Sequence, residues 1–208
     1  NELRRTKDAD EIAAIGRAVE TVERTMAATA PLVQPGVTMA ELAETVEHEL
    51  LAAGSRCPSF ATHIFTGIDD AAYDSHTSTA RTPIPQGTSV MFDFGGVVDG
   101  YCSDFGRTVF IGEPTPERRA VYDLVIAAQA AAIAAMRAGQ ITCAGLDHVA
   151  RSMIEQAGHG AGFIHRLGHA TGMDVHEEPW LHEGVDIPLE TGMMFTIEPS
   201  IFMSDGAF

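Results

Sequence analysis

Val90-Met91-Phe92-Asp93-Phe94-Gly95-Gly96-Val97-Val98-Asp99-Gly100-Tyr101-Cys102-Ser103-Asp104-Phe105-Gly106-Arg107-Thr108 is the stretch on which the architecture turns. Asp99-Gly100 between two apolar runs is the signal of a two-residue hairpin. With that turn, Val98 pairs with Tyr101, Asp93 faces Gly106 and Asp104 faces Gly95. Directly opposed residues share a sheet face, as do residues two apart on one strand. Asp93 and Asp104 therefore lie on one face as diagonal neighbours, each looking across at a glycine that leaves open space. Two like charges this close on Val- and Phe-rich strands are costly unless a cation sits between them. Oxygen donors on adjacent strands suit one or two hard divalent ions. The hairpin alone also fits two solvated aspartates on an open edge. Asp93-Phe94-Gly95 matches a tripeptide of protein kinases, but no Gly-rich loop, strand lysine or His-Arg-Asp loop accompanies it.

Outward from the hairpin, four helices are expected. Residues 8–30 carry Ile12, Ile15, Ala18, Val19, Val22 and Met26 at helical spacing behind Asp8 and Asp10. Thr38-Met39-Ala40-Glu41 is a capping box opening a second helix that runs to Gly54. Thr115-Pro116 opens a third, to about Ala138, with Pro at the first helical position. Thr142 opens a fourth, ending at Gly158. The second and fourth share Thr, Ala, Leu, Ala and Gly at matching positions: Thr38/Thr142, Ala40/Ala144, Leu42/Leu146, Ala53/Ala157 and Gly54/Gly158. Each follows a long helix and precedes strand-like sequence at Phe60–Thr66, Ser89–Val98 and Tyr101–Ile111 in one half, and within Ile164–Val175 and Met193–Phe202 in the other. The pattern predicts an α+β fold of two pseudo-symmetric halves, each two helices plus strands, with a mixed or antiparallel sheet between them.

The chain has 208 residues, 45% of them hydrophobic, enough for one sizeable domain. A net charge of -16 argues against nucleic acid and anionic membrane surfaces as partners. Cys57, Cys102 and Cys143 are scattered and odd in number, which points to a reducing, cytoplasmic setting. No apolar run reaches the length of a membrane span.

The second half carries His165-Arg166-Leu167-Gly168-His169-Ala170-Thr171-Gly172-Met173-Asp174-Val175-His176-Glu177-Glu178-Pro179. Gly168 and Gly172 argue against a helix, and position 166 is not Glu, so this is not the helical zinc motif. Each histidine alone suits a structural or surface role; their clustering points to a site. Met193-Met194-Phe195-Thr196-Ile197-Glu198-Pro199 is an apolar strand with one acid, which either faces solvent at the strand end or finds a partner such as a metal. His76, in Asp74-Ser75-His76-Thr77, carries no signal of its own.

Together these motifs, with the opening Leu3-Arg4-Arg5-Thr6-Lys7-Asp8-Ala9-Asp10-Glu11-Ile12, resemble the pita-bread-fold metallopeptidases, the family of methionine aminopeptidase, prolidase and Xaa-Pro aminopeptidase. The similarity runs nearly the whole length, and residues 1–208 read as one catalytic domain without the N-terminal domain common among relatives. The family binds two metals through Asp, Asp, His, Glu and Glu. The resemblance carries four of these onto Asp93, Asp104, His169 and Glu198, with Asp104 bridging, Asp93 on one metal, and His169 and Glu198 on the other. It puts the fifth ligand, a bridging Glu, after the turn at residues 204–208, so the domain reads as truncated there. His76 and His176 match the family's catalytic histidines. His165 matches one typical of the proline-cleaving branch. Gly168-His169-Ala170-Thr171-Gly172 departs modestly from the family's glycine-rich version.

The resemblance implies an aminopeptidase or dipeptidase cleaving the Xaa-Pro bond at peptide N-termini. Glu198 would move the proton, His76 and His176 would stabilise the tetrahedral intermediate or aid departure of the proline nitrogen, and His165 would position substrate. Two divalent ions are expected, Mn²⁺ on hardness, with Co²⁺, Zn²⁺ or Fe²⁺ as alternatives. Expected partners are peptides with proline at the second position and a second copy in a homodimer. A creatinase-like metal-free hydrolase and a non-catalytic peptide-binding module are the rivals on the same fold.

Overall fold

The computed structural model describes residues 2–66, 81–203 and 206–208. After a short turn of helix, α1 (Glu2–Arg5), helix α2 (Ala9–Thr29) starts where Asp8 caps it. The Asp8 carboxylate accepts from Asp10 N and Glu11 N, and Glu11 reaches back to the Asp8 N–H, satisfying donors that the first turn leaves orphaned. Ala14, Ile15, Ala18, Val22 and Met26 face inward. Ile12 and Val19 fall on the flank and stay 39% and 37% exposed, so the apolar stripe is narrower than the sequence pattern suggests.

Helix α3 (Met39–Ala52) opens on the Thr38–Glu41 capping box read from the sequence. Strands β1 (His63–Phe65), β2 (Ser89–Phe94) and β5 (Phe105–Phe110) form an antiparallel sheet in the order β1-β2-β5. Between β2 and β5 the hairpin continues as β3 (Val97–Val98) and β4 (Tyr101–Cys102). Its turn has φ 52° at Asp99 and 85° at Gly100, the left-handed pair that a twist-compatible two-residue loop needs. Val98 pairs with Tyr101 and Asp93 with Gly106, the register expected from the turn.

The second half repeats the plan. Helix α4 (Pro116–Ala135) has Thr115 as its cap, and α5 (Cys143–Gln156) has Thr142. Helices α3 and α5 are each 14 residues long, and the residues two past their ends, Gly54 and Gly158, adopt φ 105° and 85°. Both capping threonines bridge to a proline, Thr38 to Pro83 and Thr142 to Pro188. Strands β6 (Gly168–Ala170) and β7 (Glu177–Leu181) pair antiparallel, and β8 (Phe202–Met203) pairs with β9 (Gly206–Ala207).

Each half has its own core. One gathers Val22, Leu42, Val46, Leu50, Phe92 and Phe94. The other gathers Val121, Ala128, Leu146, Ile154, Leu167 and Leu181. Phe92 and Phe94 are fully buried, and burial of such a side chain stabilises by about 1.5–3 kcal/mol. The pairings are antiparallel as expected, but among the described residues one three-stranded and three two-stranded pieces stand in place of one continuous sheet. The breaks fall at Gly95-Gly96 and around Pro199. Residues 193–198 are extended without a strand of their own, yet Thr196 N donates to His169 O at 2.9 Å and Glu198 N to Leu167 O at 2.8 Å, so they run antiparallel to β6.

Candidate metal centre

Asp93 sits on β2 between His63 of β1 and Gly106 of β5. A side chain at Gly106 would meet little, the nearest atom being Phe92 O at 3.7 Å, so the space beside Asp93 is open as expected. The other glycine works differently. A Cβ at Gly95 would lie 2.0 Å from Ser103 O and 2.2 Å from Ser59 Oγ. Gly95 permits close backbone packing and leaves no cavity in front of Asp104. That packing fixes Asp104 instead: its neighbour Ser103 donates its N–H to Gly96 O at 2.8 Å and accepts from Ser59 Oγ at its own carbonyl.

His169 lies on β6, and Glu198 lies on the segment alongside it. Gly168 makes the approach possible, since a Cβ there would fall 2.1 Å from Thr196 O. Glu198 is opposite Leu167, as Asp93 is opposite His63 in the first half. The two acids therefore occupy corresponding places in the two halves, and they converge on one seam. His169 Nε2 stands 3.1 Å from Asp104 Oδ2 and 3.5 Å from Glu198 Oε1. Its Nδ1–H donates to Ala170 O at 3.0 Å, which fixes the ring with Nε2 toward the acids.

The electrostatics show carboxylates that repel one another in a buried place. Burial pushes the Asp93 carboxyl up to about 7, and the Asp104 charge adds to it while His169 opposes. Burial likewise pushes Glu198 up to about 7, again with repulsion from Asp104. Burial pulls His169 down, but the Asp104 hydrogen bond and the Glu198 charge outweigh it and the net shift is upward. Carboxylates held together at this cost, beside an imidazole nitrogen that points at them, fit a divalent metal ion.

His176 joins the group. One ligand atom each from Asp104, His169 and His176 all lie within 4.8 Å of one another, and the His169 and His176 rings are 4.4 Å apart. Burial, then the His169 charge, hold the His176 imidazole below its ordinary value. His165 is close in sequence but differently engaged. Its Nδ1–H donates to Arg166 O at 2.7 Å and its Nε2 accepts from Ser200 Oγ at 2.5 Å, so both ring nitrogens are bonded within the protein. His76 lies outside the described residues.

Two further residues were not singled out from the sequence. The Arg166 guanidinium stacks on Trp180 at 4.3 Å, and its Nε is buried with no hydrogen-bond partner among the described residues. Trp180 in turn lies 5.9 Å from the rings of both His169 and His176. Being the chain's single Trp was the available signal, and β7, which carries it, was hidden by the polar Glu177-Glu178-Pro179. Behind the site, Asp147 of α5 is buried and accepts from Arg151 through both oxygens and from Leu167 N at 3.0 Å. Arg151 also donates to the carbonyls of Phe163 and His165. The i, i+4 spacing of this pair is visible in sequence; its burial is not.

Among the described residues no helix is long and apolar enough to cross a membrane. The chain is 42% identical over 169 residues to a Xaa-Pro dipeptidase of Lactobacillus delbrueckii subsp. lactis, covering 81% of this chain and 45% of that one. It is 34% identical over 205 residues to the putative dipeptidase YkvY of Bacillus subtilis, covering 99% of this chain and 56% of that one. The prolidase from Pyrococcus furiosus superposes with a TM-score of 0.93 at 33% identity, over 99% of this chain and 60% of that one. That likeness bears out the α+β pita-bread architecture. The chain spans about half the length of the curated relatives it matches. The profile of metallopeptidase family M24 matches residues 13–208, and the chain belongs to that family.

Proposed function

We propose that the protein hydrolyses the bond before proline at peptide N-termini, with two divalent ions held by Asp93, Asp104, His169 and Glu198. The observation that carries this reading is the convergence of acids from both halves on His169 Nε2, at 3.1 Å and 3.5 Å. The names of the relatives, Xaa-Pro dipeptidase and prolidase, support the choice of bond. A donor set dominated by carboxylates favours Mn²⁺ on hardness. Bound divalent ions supply Lewis acidity, activating water and polarising a carbonyl.

The chain's own groups do the rest. Glu198, beside His169 Nε2 at 3.5 Å, accepts a proton from the attacking water and returns it to the leaving proline nitrogen. His176, over His169 and beside Trp180, donates to the oxygen on which charge develops. Arg166, stacked on Trp180, offers the positive charge that the carboxylate end of a dipeptide requires in an otherwise acidic site. His165 acts through Ser200, two residues past Glu198, and orders the segment that carries the acid. His76 is assigned a part beside His176 on the resemblance of its motif. The full-length protein works as a homodimer in the cytoplasm.

The test is hydrolysis of Ala-Pro and Ala-Ala dipeptides by the full-length protein, before and after chelation, with metal content measured in parallel. Proline-dependent turnover that is lost on chelation and restored by Mn²⁺ is expected, with Asp93→Ala inactive. An Asp93→Ala protein with undiminished metal-dependent hydrolysis of Ala-Pro refutes the assignment.

A further inference from the structure

Lys7, the chain's single lysine, is buried, with 2% of its side chain exposed. Its Nζ donates to Glu177 Oε2 at 2.9 Å, and 7% of the Glu177 side chain is exposed. A lysine hidden this well with a single carboxylate is poor stabilisation, since desolvating the two charges offsets most of their attraction. What the pair does supply is a fixed geometry, and its neighbours show where that geometry is spent.

Glu177 directly follows His176. Its second oxygen, Oε1, accepts from Asp174 N at 3.3 Å, which folds the 174–177 turn onto the ion pair. Arg4 adds a contact to Asp174 at 2.5 Å. Gly172 lies against the pair so closely that a Cβ there would be 2.8 Å from both Glu177 oxygens and 2.9 Å from Lys7 Cε. The same loop is tied to the aspartate hairpin, because Cys102 N, two residues before Asp104, donates to Gly172 O at 2.7 Å. Lys7 is itself immobilised through its backbone. Its N–H donates to Gly192 O at 2.8 Å, in the turn that launches residues 193–198 and hence Glu198. Lys7 thus ties together the loop bearing His176 and the turn that leads to Glu198.

We infer that Lys7 is a positioning residue: its ion pair with Glu177 braces the 172–177 loop so that His176 is held over His169 in the working arrangement. The inference rests on the reading that His176 takes part in hydrolysis. The ordering of the loop, and not the fold as a whole, is what the pair secures.

The test is a mutant cycle in the full-length protein, with kcat on Ala-Pro, metal content, melting temperature and amide exchange of residues 172–177 as readouts. Lys7→Met is expected to lower kcat by about 10- to 100-fold, the scale of a small misplacement of a reacting group. Metal content stays unchanged and exchange rises across 172–177. In a His176→Ala background the same substitution changes kcat by less than about threefold, because the group it positions is gone. The double variant Lys7→Met/Glu177→Leu removes both charges and recovers the melting temperature, but kcat stays low. Should Lys7→Met alone not fold, the double variant carries the test. Recovery of kcat together with the melting temperature, or additive losses with His176→Ala, overturns the brace. A His176→Ala protein with undiminished kcat overturns the part given to His176 itself, and the brace with it.

Discussion

Replacing Asp93 with Asn in chelator-treated protein should change how stability depends on pH. The Asp93 carboxyl titrates at about 7 when folded against 3.8 when free. A raised carboxyl binds its proton more tightly in the folded state. Its contribution is therefore fully present below the free value and is lost as pH rises through the folded one. Between about pH 5.5 and about pH 8 the loss from this one group is about 2 kcal/mol, from the linkage relation. Glu198 shifts the same way, but 36% of its side chain is exposed and screening reduces its share. Three histidines oppose the trend. Burial lowers His63, His165 and His176, so their contribution is lost as pH falls below the free histidine value. Both proteins contain them, and the difference between wild type and Asp93→Asn removes them. Urea unfolding of both proteins at the two pH values should give a wild-type loss larger by about 2 kcal/mol. Saturating Mn²⁺ should reverse the wild-type slope, because protons compete with the ion for the same oxygens. Equal slopes for the two metal-free proteins, within about 0.5 kcal/mol, would show that Asp93 is not under the strain described.

Asp147→Asn should lower the melting temperature by about 10 °C, from a loss of about 3–4 kcal/mol when the Arg151 pair breaks; a calorimetric shift under about 2 °C would refute the brace behind β6. Gly168→Ala should weaken Mn²⁺ binding by about tenfold or more in titration calorimetry, because its Cβ would fall 2.1 Å from Thr196 O and push apart the segments carrying His169 and Glu198. Gly16→Ala is the control: it lies in α2 with nothing within 4 Å of a Cβ and should stabilise by about 0.5–1 kcal/mol.

The parts of the fold legible in sequence are those governed by local chemistry. Asp99-Gly100 pins a hairpin register because only one pairing follows a two-residue turn, so the place of Asp93 opposite Gly106 could be read in advance. Thr38, Thr115 and Thr142 mark helix starts because a hydroxyl at that position satisfies orphan N–H groups. The duplicated helices were visible through their caps and terminal glycines. What was hidden depends on distant partners. Lys7 and Glu177 meet across 170 positions of chain, and nothing near either announces the other. Gly95 read as a gap in front of Asp104, whereas Ser59 and Ser103 fill it. The bonds of His165 to Arg166 O and Ser200 Oγ are likewise set by the fold and carry no local sequence signal. Strand β7 escaped notice because its pairing with β6 shifts register between His169 and Ala170, which no alternation pattern encodes.

Asp93 and Asp104 hang from the first core, His169 and Glu198 from the second, and an ion shared by Asp104, His169 and Glu198 would act as a rivet between them. Neither half can swing open alone without surrendering donors. Loading the site should therefore fuse two otherwise separable opening motions into one, so that slow amide exchange in α3 and in α5 becomes synchronised by the same ion.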